Sequence, residues 1–178
     1  MHVIDQRSAM AIALIAVLLV GCDVDVTGEG ESKDVDIRTA FGDISVRTSG
    51  EGPDTGLPVY PGARPLSDDD EPEHADVKVR ISDVGVNVAA ARYESDDAPQ
   101  AILEFYKDKM SAHGAVVECK GDIEFEGEPR QPVCDEDSSS SETQLVTGTE
   151  DKHRLVSVKP RGGGAEFAVV SLEIDKRG

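Results

Sequence analysis

The chain has 178 residues, room for one domain with appendages, and its 36 Asp+Glu against 18 Lys+Arg give a formal charge of −18. That field repels nucleic acid and anionic lipid head groups, so no nucleic-acid partner and no polybasic membrane contact are expected. Aromatic residues make up 4% and Trp is absent, so the core must be small and built mostly from Val, Ile, Leu and Ala.

Residues 9–20, AMAIALIAVLLV, are apolar throughout. As a helix they would reach about 18 Å, short of the ~30 Å hydrocarbon core of a bilayer. This disfavours a transmembrane span and fits the apolar stretch of a secretory signal peptide. Arg7 and the α-amino group supply the cations ahead of it, with Asp5 an atypical acid among them. Leu19-Val20-Gly21-Cys22 follows. It resembles the lipobox of bacterial lipoproteins, in which a Leu, two small or apolar residues and a Cys end the signal peptide. The resemblance implies a signal peptide over 1–21 and a diacylglyceryl thioether on Cys22, usually with an amide-linked third chain. A thiolate is a good nucleophile for that step, and two or more acyl chains anchor stably where one does not. Asp23 resembles an inner-membrane retention mark. The expected location is the bacterial cell envelope, with the membrane as partner through lipid on Cys22.

Residues 22–56 read as a polar tether. Within it VDIRT (35–39) and ISVRT (44–48) both alternate apolar and polar, and AFGD between them can turn, so a short β-hairpin fits. The echo resembles the repeated strands of adhesin-like β-solenoid domains, but two units fall short of the three a solenoid needs. A hairpin of this size is marginal unless it docks. In GLPVYPGARPL (56–66) three prolines exclude a helix, Pro61-Gly62 suits the centre of a tight turn, and Tyr60 is expected to pack. The segment resembles one in uncharacterised bacterial envelope lipoproteins, where LPxYPGA precedes a strand and then a helix with an FY pair. Here Leu57 to Ala63 and Phe105-Tyr106 match. That resemblance covers about 57–175 and implies no known activity. SDDDEPEHAD (67–76) is an acidic loop, interrupted by Pro72 and without the glycine an EF-hand loop requires. A solvated linker is expected, with weak cation binding as its alternative.

The main domain is placed at 57–178. VKVRI (77–81) and VNVAAARYE (86–94) read as strands. A helix follows over SDDAPQAILEFYKDKMSAHG, with Asp97 and Gln100 set to form a capping box and Pro99 tolerated in the first turn. Ala98, Ala101, Ile102, Phe105, Tyr106 and Met110 make its apolar stripe, and Gly114 suits its end. AVVECK (115–120) reads as a strand and 121–142 as a loop. TQLVTGT, HRLVSVK and AEFAVVSLEID are three further strands, the last two joined by PRGGG. The expected fold class is α+β: a small two-layer domain with one main helix packed on a mostly antiparallel sheet. A single helix covers one face. The other must be polar, meet the N-terminal hairpin, or bind something.

With Cys22 assigned to lipid, Cys119 and Cys134 remain of the three cysteines. In an oxidising compartment such a pair reads as a disulfide. Closing its loop of about 15 residues would contribute roughly 3 kcal/mol in the chain-entropy account. The competitor, a zinc site, lacks CxxC spacing and has only His113 to recruit. No GxSxG, HExxH or P-loop motif occurs, and His74, His113 and His153 sit at ordinary surface positions. No catalytic residue, metal ligand or cofactor is assigned. The function expected is that of a membrane-anchored envelope lipoprotein acting in binding or protein interaction. An extracytoplasmic hydrolase with an unrecognised site and a weak cation-binding module are the alternatives.

Overall fold

The structure, a computed structural model, describes residues 22–27, 34–48, 52–66, 74–136 and 139–176. The signal peptide assigned to 1–21, and residues 67–73 of the acidic loop, lie outside them. The strands are β1 Cys22–Thr27, β2 Asp34–Thr39, β3 Gly42–Arg47, β4 Arg64–Pro65, β5 His74–Ile81 and β6 Val84–Ser95. Helix α1, Pro99–Ser111, comes next. Then follow β7 Val116–Cys119, β8 Gly121–Glu126, β9 Gln131–Glu136, β10 Thr143–Thr149, β11 Lys152–Arg161 and β12 Gly164–Lys176.

Among the described residues ten strands form one sheet in the order β1-β2-β3-β5-β6-β12-β11-β10-β7, with β4 also pairing β6, and β8 and β9 form a separate hairpin. Every pairing is antiparallel. The described residues are β-rich, 62% strand against 10% helix, and the expected α+β class is overturned. The physical reason lies in short alternating segments. CDVDVT and GDIEFE, read as tether and loop, both alternate and both pair as strands. The 34–47 hairpin joins the main sheet edge to edge through β3 and β5 rather than standing apart. One 13-residue helix is then a lid on part of a long sheet, not half of the fold.

The centre is the β6–β12 pair, in register from Ala165 opposite Ser95 to Lys176 opposite Val84. From β6 the chain crosses in α1 to β7, four strands away, and β10, β11 and β12 then return as a meander that fills the gap. Under α1 lies the core. Ile102, Leu103, Tyr106 and Met110 pack on Leu145, Val156, Val158, Phe167 and Val169, all buried. Each such side chain contributes about 1.5–3 kcal/mol relative to an exposed one. The helix stripe is as expected at Ile102, Tyr106 and Met110, while Leu103 takes the buried place predicted for Ala101, which is exposed. The capping box does not form. Ala98 is the N-cap without a side-chain bond, and the Asp97 carboxylate instead accepts the Tyr60 hydroxyl at 2.8 Å.

The 56–66 segment closes the side of this core. The Ala63 N–H donates to the Tyr60 carbonyl at 3.0 Å around Pro61 and Gly62, and Gly62 has φ +79, the conformation a turn of this kind demands at its second central residue. Tyr60 meets Phe105 and Phe167 edge-on at 5.2 and 6.3 Å. On the opposite face, the β8–β9 hairpin covers the β7–β10 end. The Cys119–Cys134 disulfide ties it down across a Cα separation of 5.4 Å. Gln144 Nε2 donates to the Gly121 carbonyl at 3.0 Å, and Phe125 lies 5.0 Å from the His153 ring.

Candidate functional site

The two faces of the sheet differ in kind, and the difference follows from strand parity. On the α1 side, the strands beyond the helix carry Asp25, Asp36, Arg38, Asp43, Arg47, Asp76, Lys78 and Arg80, aligned across β1, β2, β3 and β5 by register. On the reverse side, successive rows across the strands are apolar. One row is Val24, Ile37, Ile44, Val79 and Val86; the next is Val26, Val35, Val46, Val77 and Val88. No described side chain of β1, β2, β3 or β5 is fully buried. Among the described residues, the second layer on this reverse face is the β8–β9 hairpin at the β7–β10 end, and the wing side chains are partly buried or exposed.

The reverse face also grades along the strands. Down β6 it reads Glu94, Arg92, Ala90, Val88, Val86, Val84. At the polar end Arg92, Lys159 and Arg161 converge on Glu166 at 3.1, 3.0 and 3.3 Å. Burial raises the Glu166 carboxyl, but the Lys159 ammonium and Arg92 guanidinium more than offset it and hold it below its ordinary value. At the apolar end the turns of two hairpins meet, the Ser82 N–H donating to the Phe41 carbonyl at 3.3 Å. Thr39 Oγ1 accepts from the Phe41 and Gly42 N–H groups at 3.2 and 3.1 Å and fixes the β2–β3 turn. Gly42 is required there, since a Cβ would stand 2.0 Å from the Arg80 carbonyl oxygen. Phe41 is 82% exposed, Ile81 58%, Val24 57% and Val84 43%. The backbone of Cys22 opens β1 in this same end row, opposite Thr39, which pairs Gly42, which pairs Ile81, which pairs Val84.

The sequence-assigned residues separate accordingly. Cys119 and Cys134 are joined as a disulfide at one edge of the molecule. Cys22 begins the strand at the other edge. The histidines do not converge on a nucleophile. His74 opens β5, His113 follows α1, and His153 holds the Thr149 and Glu150 carbonyls within 3.1 and 3.2 Å of Nδ1. Ser157 donates to Glu142, not to a histidine. A cleft of about 340 Å3 lies beside Arg64, Glu94 and Asp96, whose charges pair with one another at 3.0 to 3.2 Å. The Arg64 guanidinium, by hydrogen bonding and charge, holds the Asp96 carboxyl below its usual range. Among the described residues no cluster of three or more His, Cys, Asp and Glu is placed to hold a metal ion, and no helix is long and apolar enough to cross a membrane. The open apolar end was not singled out from sequence, although its signal is there in the even spacing of Val24, Val26, Val77, Val79 and Ile81.

Compared with known proteins, the chain matches no family model, no curated protein and no solved structure.

Proposed function

We propose that the protein is a membrane-anchored bacterial envelope lipoprotein that presents its open sheet as a binding or protein-interaction module. The observation that carries this reading is how the three cysteines divide. Cys119 and Cys134 hold each other, as an oxidising compartment allows. Cys22 stands outside that pair, at the end of Leu19-Val20-Gly21-Cys22 and after twelve apolar residues. Lipid on its sulfur replaces the apolar run as the membrane-holding element. Asp23 assigns the inner membrane in a bacterium that reads that mark. The binding role draws support from the exposed apolar side chains of the wing, Val24, Val26, Phe41, Ile44, Ile81 and Val84.

Bacteria expressing the full chain and fed labelled fatty acid should incorporate label into it. The Cys22→Ala chain should lose the label entirely while keeping the Cys119–Cys134 disulfide. Label retained in Cys22→Ala would contradict the anchor.

A further inference from the structure

We propose that the apolar end of the sheet, formed by Phe41, Ile81, Val84 and Val24, rests in the bilayer surface as a second membrane contact beside Cys22. The inference rests on the reading that Cys22 marks the point of membrane attachment. It adds that the folded body, and not lipid alone, touches the membrane.

Three observations lead to a bilayer rather than to another occupant. First, the apolar run 9–20 enters the described structure at Cys22, in the same register row as Ile81 and Val84. Acyl chains on Cys22 would join the body with no spacer, because β1 begins at Cys22. Four strand spacings, roughly 19 Å, separate Cys22 from Val84, so Ile81 and Val84 lie within reach of the head groups once Cys22 is held. Second, the most exposed apolar side chain of this end, Phe41, projects from a turn whose backbone is fixed by Thr39 and by the Ser82 bond. A rigid turn tip presents its ring at little ordering cost. Third, the polarity gradient has the correct sense. The reverse face is apolar at the Cys22 end and becomes the Arg92–Glu166–Lys159 cluster at the other, about 30 Å up the strands. The acidic charge of the chain selects zwitterionic over anionic lipid for this contact.

The chain contains no Trp, so a single Phe41→Trp substitution gives an unambiguous reporter. Val59→Trp, half-exposed on the segment beside α1 and away from the Cys22 end, serves as the control. The full chain, purified from membranes with its lipid state read by mass, is reconstituted in phosphatidylcholine vesicles with brominated acyl chains. Indole emission from the Phe41→Trp chain should be quenched at least about twofold more than that from the Val59→Trp chain, and should lie further to the blue. Equal quenching in a chain that floats with the vesicles overturns the contact while leaving the anchor intact. If Cys22 carries no lipid, the anchor reading fails separately. The same Phe41→Trp chain added to brominated vesicles then decides the contact: quenching supports it and none overturns it. Blue-shifted emission from Phe41→Trp in vesicle-free dimers, unquenched by bromolipid, would assign the patch to a second copy and also overturn the proposal. In the Cys22→Ala chain, Phe41→Ser should weaken vesicle partitioning roughly tenfold; unchanged partitioning would count against insertion of the ring.

Discussion

Two regions of one sheet are built from the same kind of strand and end in different states. Where β10, β11 and β12 pass under α1, every second side chain is sealed: Leu145, Val156, Val158, Phe167 and Val169 have 2% exposure or less. In the wing of β1, β2, β3 and β5 the alternation is as regular, yet no described side chain is fully buried. Ladder hydrogen bonds extend a sheet to either side, but only a second layer removes its apolar face from water. The helix-covered half can hold itself together by burial, and the wing depends on main-chain pairing and on whatever it touches. The wing carries charges of both signs on one face and partly buried to exposed apolar rows on the other.

The contrast can be broken most strongly in the covered half. Phe167→Ala removes the ring that Tyr60, Tyr93 and Tyr106 all contact, and should cost about 3–5 kcal/mol in urea unfolding. Val77→Ala in the wing should cost under about 1.5 kcal/mol, since the side chain is only partly buried. Equal losses would mean that the wing has a second layer in solution. Next in size is the disulfide. Cys119→Ser paired with Cys134→Ser should lose about 3 kcal/mol by freeing the 15-residue separation, and protease should then cut first in the β8–β9 hairpin; a loss below about 0.5 kcal/mol would refute its stapling role.

The smallest effect concerns acid. Glu166 has its folded pKa held below the unfolded value near 4.5, so its contribution is present in full above that value and is lost as pH falls through the folded pKa. The melting-temperature gap between the parent and Glu166→Gln should be widest near neutrality and shrink as pH falls below the unfolded value. A gap that persists undiminished at pH 3 would show that Glu166 acts through packing rather than charge.

Much of the covered half was legible because its signals are local. The stripe of Ile102, Tyr106 and Met110, the Pro61-Gly62 turn, the cysteine pair and the strands after 143 each rest on residues near in sequence. The fold class was not, for two reasons. In GDIEFEGEPRQPVCDE the charges, Pro129 and Pro132 mask an alternation that pairs Ile123 with Cys134 and Phe125 with Pro132. The joining of β3 to β5 spans the whole 48–73 excursion, and periodicity has no means of expressing such a non-local ladder. Asp97 shows the same limit at one residue: its spacing suits a cap, but Tyr60, distant in sequence, takes the carboxylate. Of the candidate site, Cys22 enters through the resemblance of Leu19-Val20-Gly21-Cys22 to a lipobox. The open apolar end was not legible, because sequence shows which residues share a face and not whether anything lies over it.

Membrane attachment at Cys22 is decided by the mass of the N-terminal peptide of the protein extracted from bacterial membranes. The expected peptide begins at Cys22 and carries a diacylglyceryl thioether. A peptide with residues 1–21 still attached, or a Cys22 with an unmodified thiol, would contradict that attachment.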